Sequence, residues 1–226
     1  MLTLHPIKIN MDLSTIISTL HDNILHTSYI EIVAVFFGLL SVWYARNEKV
    51  LLYPTGIINV CLYIYICIIA KLYADMGINV FYLIMSIYGW YYWTRKDEQQ
   101  HVVPITKCSL TETILNIIAT LCFFGIIYFI LKKYTDSTVP VLDSFTTAIF
   151  IIGMWLQARK KIENWIYWIV GDTLVIPLFA YKGYVFTGVQ FAVFLGLAVS
   201  GYIEWKKKLN DYNPKLYQGN DKVIKE

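Results

Sequence analysis

The sequence predicts an all-α integral membrane protein with seven transmembrane helices, built as two parallel three-helix repeats joined by a linking helix (3+1+3). Composition is the first observation. Apolar residues make up 57% of the 226 residues and charged residues 15%, whereas soluble domains average roughly 45–50% and 25%. The second observation is a series of seven long apolar segments, and the third is a resemblance between the first three segments and the last three.

The N-terminal segment, residues 1–28, precedes the first long apolar segment. Residues 1–10 contain no basic region followed by an apolar stretch, so they do not predict a cleavable signal peptide. Residues 11–26 place Leu13, Ile16, Ile17, Leu20 and Ile24 at helical spacing. This pattern predicts a short amphipathic helix at the membrane interface. The alternative is an eighth span.

Seven segments have the length and composition of membrane spans, which need about 20 mainly apolar residues. The first and third are the shortest. The spans are predicted at 29–45, 50–70, 78–93, 114–131, 139–158, 165–181 and 185–205. The seven-span domain then covers residues 29–208, and residues 209–226 form a polar tail.

Basic residues predict the orientation of the bundle, because cytoplasmic loops of membrane proteins are rich in Lys and Arg. We call the membrane side where spans one, three, five and seven end side A, and the opposite side is side B. Side A carries eleven basic residues and side B four. The eleven are Arg46, Lys49, Arg95, Lys96, Lys107, Arg159, Lys160, Lys161, Lys206, Lys207 and Lys208. Side A, and with it the C-terminus, is therefore predicted to be cytoplasmic.

An internal repeat links residues 29–96 to residues 139–208, with residues 111–133 as the linking helix. Gly89 and Trp93 match Gly201 and Trp205 at an offset of 112. Ala45-Arg46 and Asn59 match Ala158-Arg159 and Asp172 at 113, and Lys71, Tyr73, Gly77 and Asn79 match Lys182, Tyr184, Gly188 and Gln190 at 111. Three spans reverse the direction of the chain across the membrane, and the single linking span restores it. The two three-helix repeats are therefore parallel, as in the SWEET sugar transporters. Transporters of this kind hold substrate near the midplane, where the repeats meet.

Four polar residues within the spans are candidates for the substrate path. Asp172 lies about two turns into span six, at the depth of Asn59 in span two, and Asn79 and Gln190 lie near the starts of spans three and seven. Charged groups inside a bilayer are costly and commonly functional. The alternative is that these side chains form hydrogen bonds that pack the helices together.

The start of span six combines an amide with two indoles. Trp165 and Trp168 are three positions apart, so they share a helix face, and Asn164 precedes them. Such a group can stack a flat ring, and indole faces attract cations by roughly 0.5–2 kcal/mol. The alternative is an aromatic belt at the membrane surface.

No enzyme chemistry is indicated. The four histidines lie in terminal or loop segments, the four cysteines have no CxxC spacing, and no metal, nucleotide or catalytic-serine motif occurs. We therefore expect no metal, cofactor or nucleic-acid partner. ATP-driven transport by this chain itself is excluded.

Residues 155–168 resemble the PnuC family of vitamin transporters. The family pattern W-x-x-x-R-K-x-x-x-N-W-x-x-W is met at every fixed letter by Trp155, Arg159, Lys160, Asn164, Trp165 and Trp168. The resemblance covers the seven-span part and includes the 3+1+3 repeat. It implies that Asn164, Trp165 and Trp168 contact the substrate.

The resemblance also implies a function. It implies a homotrimeric carrier in the bacterial inner membrane that takes up nicotinamide riboside by facilitated diffusion, with trapping inside by a separate kinase. Relatives carry thiamine or riboflavin, and the choice of vitamin stays open, with thiamine as the runner-up. A pore or a structural membrane protein is the alternative from a different class.

Overall fold

A computed structural model describes residues 29–70, 72–96, 103–135, 137–182 and 185–211. Seven α-helices make up most of this part of the chain. They are α1 Tyr29–Arg46, α2 Leu52–Ile69, α3 Tyr73–Thr94, α4 Leu110–Tyr134, α5 Pro140–Ala158, α6 Asn164–Tyr181 and α7 Val185–Asp211. The predicted interfacial helix at residues 11–26, and residues 212–226 of the predicted tail, lie outside the described residues.

Three helices are longer than the spans predicted for them by more than one turn. α3 begins at Tyr73 rather than at residue 78, so the third span, with 22 residues, is not short as predicted. α4 begins earlier because the Ser109 hydroxyl accepts the Glu112 N–H at 3.2 Å, while the Glu112 carboxylate accepts the Ser109 N–H at 2.7 Å. This capping box satisfies two backbone donors at the helix start. α7 continues to Asp211, beyond the predicted span.

Five of the described helices are long and apolar enough to cross a membrane by length and composition: α1, α2, α4, α5 and α7. α3 and α6 fall outside this group because they carry polar and aromatic side chains, including Asn79 on α3 and Asp172 on α6.

Six helices form a closed ring. α1 packs against α2 and α7, α3 packs against α2 and α5, and α6 packs against α5 and α7. Among the described helices, α2 and α6 make no contact with each other, so they face one another across the centre of the ring. In the repeat, α1 corresponds to α5 and α3 corresponds to α7, so the α1–α7 contact is equivalent to the α5–α3 contact. The ring therefore has a pseudo-twofold axis along the membrane normal.

α4, the linking helix, lies outside the ring and packs on α5 alone among the described helices. Thr120 is its one buried residue. Its outer surface is apolar, with Leu115, Leu121 and Phe129 each more than half exposed. This surface suits lipid.

The two repeats share one constant offset of 112. α2 and α6 begin at Leu52 and Asn164, and α3 and α7 begin at Tyr73 and Val185. A continuous helix keeps its register, so the predicted offsets of 111 and 113 are each wrong by one position. The corrected partners of Ala45, Asn59 and Asn79 are Gln157, Gly171 and Phe191. The predicted Gly89–Gly201 and Trp93–Trp205 matches keep the correct register.

Two crossed hydrogen bonds join the repeats at side A. The Trp93 indole donates to the Gln157 carbonyl at 3.1 Å, and the Trp205 indole donates to the Ala45 carbonyl at 3.0 Å. Each tryptophan comes from one repeat and its acceptor from the other. The two indole centroids lie 5.8 Å apart, and both side chains are buried. The two repeats are thus joined by direct hydrogen bonds at this end of the ring.

The contacts of two glycines follow the same symmetry. A Cβ on Gly89 would collide with the Tyr53 hydroxyl, and a Cβ on Gly201 would lie 2.6 Å from the Trp165 ring. Tyr53 and Trp165 are themselves 112 positions apart. In each repeat, a glycine on the third helix makes room for a large ring at the start of the second helix.

Candidate functional site

A cavity of about 370 Å³ lies inside the six-helix ring. This volume falls within the roughly 300–1,000 Å³ typical of small-molecule sites. All six ring helices contribute to its lining, and the linking helix does not. Six of the seven residues predicted for the site line it: Asn59, Asn79, Trp165, Trp168, Asp172 and Gln190.

Asn164 is the predicted site residue that does not line the cavity. Its side chain is fully buried in the first turn of α6, and its amide nitrogen donates to the Lys161 carbonyl. The asparagine therefore holds the turn between α5 and α6. The geometry supports a structural role for it rather than the predicted contact with substrate.

Asp172 is the sole acidic side chain in the cavity lining. It is 3% exposed, and no side chain of the described part of the chain donates a hydrogen bond to it or forms an ion pair with it. Tyr82 of α3 lines the same cavity. A buried carboxylate without a cationic partner is expensive, so this position favours a ligand that supplies positive charge.

Trp168 forms an aromatic wall beside Asp172. Its indole nitrogen donates to the Gln157 side-chain oxygen at 3.1 Å, which fixes the ring orientation. Phe150 stacks on the indole with centroids 5.5 Å apart and an interplanar angle of 28°. Phe191 stacks on Phe150 in turn, at 6.0 Å and 21°. The indole is therefore held in place by protein contacts and presents an aromatic surface to the cavity.

Trp165 has a different position from Trp168, although both line the cavity. It is 1% exposed and packs edge-to-face on Trp205, with centroids 5.5 Å apart. This burial excludes the aromatic-belt alternative for Trp165. Its indole N–H is buried and has no hydrogen-bond partner in the described part of the chain.

The three predicted amide side chains make contacts within the protein and also line the cavity. The Asn59 amide donates to the Ala34 carbonyl at 2.7 Å and so joins α2 to α1. The Asn79 amide donates to the Asp75 carbonyl at 2.9 Å within α3. The side chain of Gln190 lies near Tyr63, which also lines the cavity. The packing alternative therefore holds in part for Asn59, while all three amides border the cavity.

Sequence reasoning missed several lining residues. Gln157 orients Trp168 and lies between Trp155 and Arg159 of the family pattern, and this location could have drawn attention to it. Phe150 and Tyr63 carry no such signal, because one aromatic among many in an apolar span gives no sign of the face it occupies.

Comparisons with known proteins fit this architecture. Residues 28–207 match the family model described as nicotinamide mononucleotide transporter. The nicotinamide riboside transporter PnuC of Escherichia coli (strain K12) is 26% identical over 203 residues, which cover 79% of this chain and 85% of that protein. PnuC of Neisseria mucosa is 27% identical over 193 residues, covering 80% and 73%.

Two further relatives add a second substrate name and a solved fold. The riboflavin/roseoflavin transporter RibM of Streptomyces davaonensis is 27% identical over 124 residues, covering 54% of this chain and 58% of that protein. A crystal structure of the vitamin B3 transporter PnuC aligns with a TM-score of 0.68 and 24% identity, covering 89% of this chain and 91% of that one. This likeness confirms the predicted 3+1+3 fold.

A ring of membrane helices from two repeats, closed around a ligand-sized cavity, fits a small-molecule transporter, and the matching family is one of transporters rather than enzymes. The family match covers most of the chain. The protein therefore belongs to the nicotinamide mononucleotide transporter family, the PnuC family of vitamin transporters.

Proposed function

We propose that this protein carries nicotinamide riboside across the bacterial inner membrane by facilitated diffusion. The observation that carries the proposal is the position of Asp172. This buried carboxylate has no cationic partner in the described part of the chain, and it lies in the same cavity as the aromatic wall of Trp168. Nicotinamide riboside supplies a flat ring and a positive charge in one group, its pyridinium.

The chemistry of the cavity suits such a ligand. Trp168 and Asp172 are four positions apart on α6, so they lie on nearly one face with a rise of about 6 Å. A cationic ring stacked on the indole gains from the negative face of the aromatic system. The amides of Asn59 and Gln190, which line the cavity, are available to the ligand's carboxamide and hydroxyl groups.

Thiamine is the alternative substrate, because its thiazolium ring is also cationic. Riboflavin is larger and uncharged, so it gains less from Asp172, although one relative is named for its transport. Trapping by a separate kinase, a homotrimeric assembly and a cytoplasmic C-terminus at side A remain predictions that the family resemblance and the basic residues support.

Exchange across liposomes tests the proposed function. Liposomes that contain the purified protein and unlabelled nicotinamide riboside should take up labelled nicotinamide riboside with no ion gradient and no ATP. We expect the uptake rate to saturate with external substrate and to rise when substrate is present inside. A carrier must turn its binding site back to the outside before it can take up the next substrate molecule. Protein-free liposomes are the control.

Two results would count against the proposal. Exchange that required a proton or sodium gradient would rule out facilitated diffusion. Flux that rose without saturation, and that internal substrate did not stimulate, would identify a pore.

A further inference from the structure

Glu48 and Lys160 occupy the same position in the two repeats, 112 residues apart. Glu48 lies in the turn between α1 and α2, and Lys160 lies in the turn between α5 and α6. Both have left-handed backbone conformations, with φ of 60° and 57°. Residues other than glycine adopt this conformation at an energetic cost. Two charged residues therefore stand where glycine would be easier to accommodate.

The side chains of these two residues meet across the pseudo-twofold axis. The Lys160 ammonium lies 2.8 Å from one Glu48 carboxylate oxygen, and the Lys208 ammonium lies 2.9 Å from the other. Both lysines belong to repeat two and the glutamate to repeat one. Burial alone would raise the pKa of Glu48, but the hydrogen bonds and charges of the two lysines outweigh it and hold the pKa below its ordinary value.

Lys160 is enclosed on every side that the structure describes. Its side chain is 4% exposed, it donates to the Val103 carbonyl at 2.7 Å, and its ammonium lies 4.7 Å from the centre of the Trp93 ring. Lys160 is one of the basic residues that the sequence assigns to orientation at side A. The structure shows that this lysine is also an internal contact between the repeats.

The ion pair lies next to the contacts that seal side A. Trp93, beneath Lys160, donates to the backbone carbonyl of Gln157, and the side chain of Gln157 accepts the indole N–H of Trp168 in the cavity wall. A continuous series of contacts therefore leads from the cavity to the ion pair. Any opening of the cavity toward side A has to separate the two repeats at these residues.

We propose that the Glu48–Lys160 pair is the side-A gate of the transporter, which keeps the cavity closed at that end and has to break for substrate to leave there. This gate rests on the proposed transport function, because alternating access requires the repeats to part at one end at a time. Without Glu48, the closed state buries Lys160 with no counter-ion, whereas the open state hydrates it. Loss of Glu48 therefore favours opening.

Cysteine accessibility from side A tests the gate. The four native cysteines are replaced, and Ser86, which lines the cavity and is 2% exposed, is changed to cysteine as the reporter. Membrane vesicles of both orientations are treated with a membrane-impermeant trimethylammonium methanethiosulfonate reagent. A second reporter, Lys207→Cys at the exposed end of α7, identifies the vesicles in which side A faces the reagent.

We expect Glu48→Gln to raise the side-A labelling rate of the Ser86→Cys reporter at least about tenfold. Lys160→Gln should raise it less, because Glu48 keeps Lys208 as a partner. Glu112→Gln is the matched control. Glu112 pairs with Lys161 at 3.0 Å, also at side A, but joins α4 to the α5–α6 turn rather than one repeat to the other, and its glutamine replacement preserves the capping box. This control should label at the parent rate.

Labelling at the parent rate in both gate variants would overturn the proposed gate. The transport proposal has a separate readout in the same experiment, since nicotinamide riboside should slow the labelling of the Ser86→Cys reporter in the parent. An accelerated reaction without protection by this vitamin would support the gate and count against the proposed substrate.

Discussion

Replacing Asp172 with asparagine is expected to weaken binding of nicotinamide riboside by about ten- to hundredfold. Interactions with a charged group contribute roughly 1.5–3 kcal/mol, and 1.4 kcal/mol corresponds to a factor of ten. The substitution preserves the shape of the side chain. It also breaks no ion pair in the described part of the chain, so the fold should be retained.

A matched ligand isolates the charge effect of this substitution. Reduced nicotinamide riboside has nearly the same shape, but its dihydropyridine ring is uncharged. Calorimetric titration of wild type and Asp172→Asn with both ligands should show a large loss for the cation and a small change for the neutral form. Equal losses for the two ligands would mean that Asp172 has a structural role.

Trp168→Ala is expected to cost about five- to thirtyfold in affinity for nicotinamide riboside, because stacking of its cationic ring on the indole contributes roughly 1–2 kcal/mol. Trp168→Phe should recover part of the loss, since it keeps an aromatic face but removes the hydrogen bond to Gln157. Binding is measured by calorimetry on protein that elutes as a single species.

Trp168 is the better residue for this test than Trp165. Trp165 is 1% exposed and packs against Gly201 and Trp205, so Trp165→Ala would remove core packing as well as a site wall. The site would be wrong if Trp168→Ala bound nicotinamide riboside with wild-type affinity.

The sequence alone was sufficient for the architecture, and it singled out six residues that line the cavity of the candidate site. Long apolar segments and a duplicated pattern are properties of the chain itself, so seven spans and the 3+1+3 arrangement could be predicted. Asp172 and the amides Asn59 and Gln190 stood out because polar groups are rare in membrane spans. Their common location in one cavity then followed from the meeting of the repeats.

Sequence reasoning could not give the exact alignment of the two repeats or the contact partners of individual side chains. Matching identical letters aligned Ala45 with Ala158, whereas the crossed hydrogen bonds and helix starts pair it with Gln157. Asn164 was assigned to the substrate because it adjoins two tryptophans, yet its side chain points to the preceding turn. Neighbours in sequence on a helix can face different surroundings.

Lys160 shows a second limit. In a run of three basic residues at a helix end, it looks like an orientation signal. Its partner Glu48 is distant in sequence, and only the packing of the two repeats brings them within 2.8 Å. Burial of one lysine in such a run depends on that packing, so composition cannot indicate which lysine is buried.

A competition titration with three vitamins tests the central claim most directly, which is that the cavity between the repeats holds a cationic ring beside Asp172. Purified wild-type protein is titrated with nicotinamide riboside, thiamine and riboflavin, each alone and then against the others. We predict saturable binding at one site, with nicotinamide riboside tightest and the uncharged riboflavin weakest. Tightest binding of riboflavin, or no saturable binding of either cation, would contradict the account.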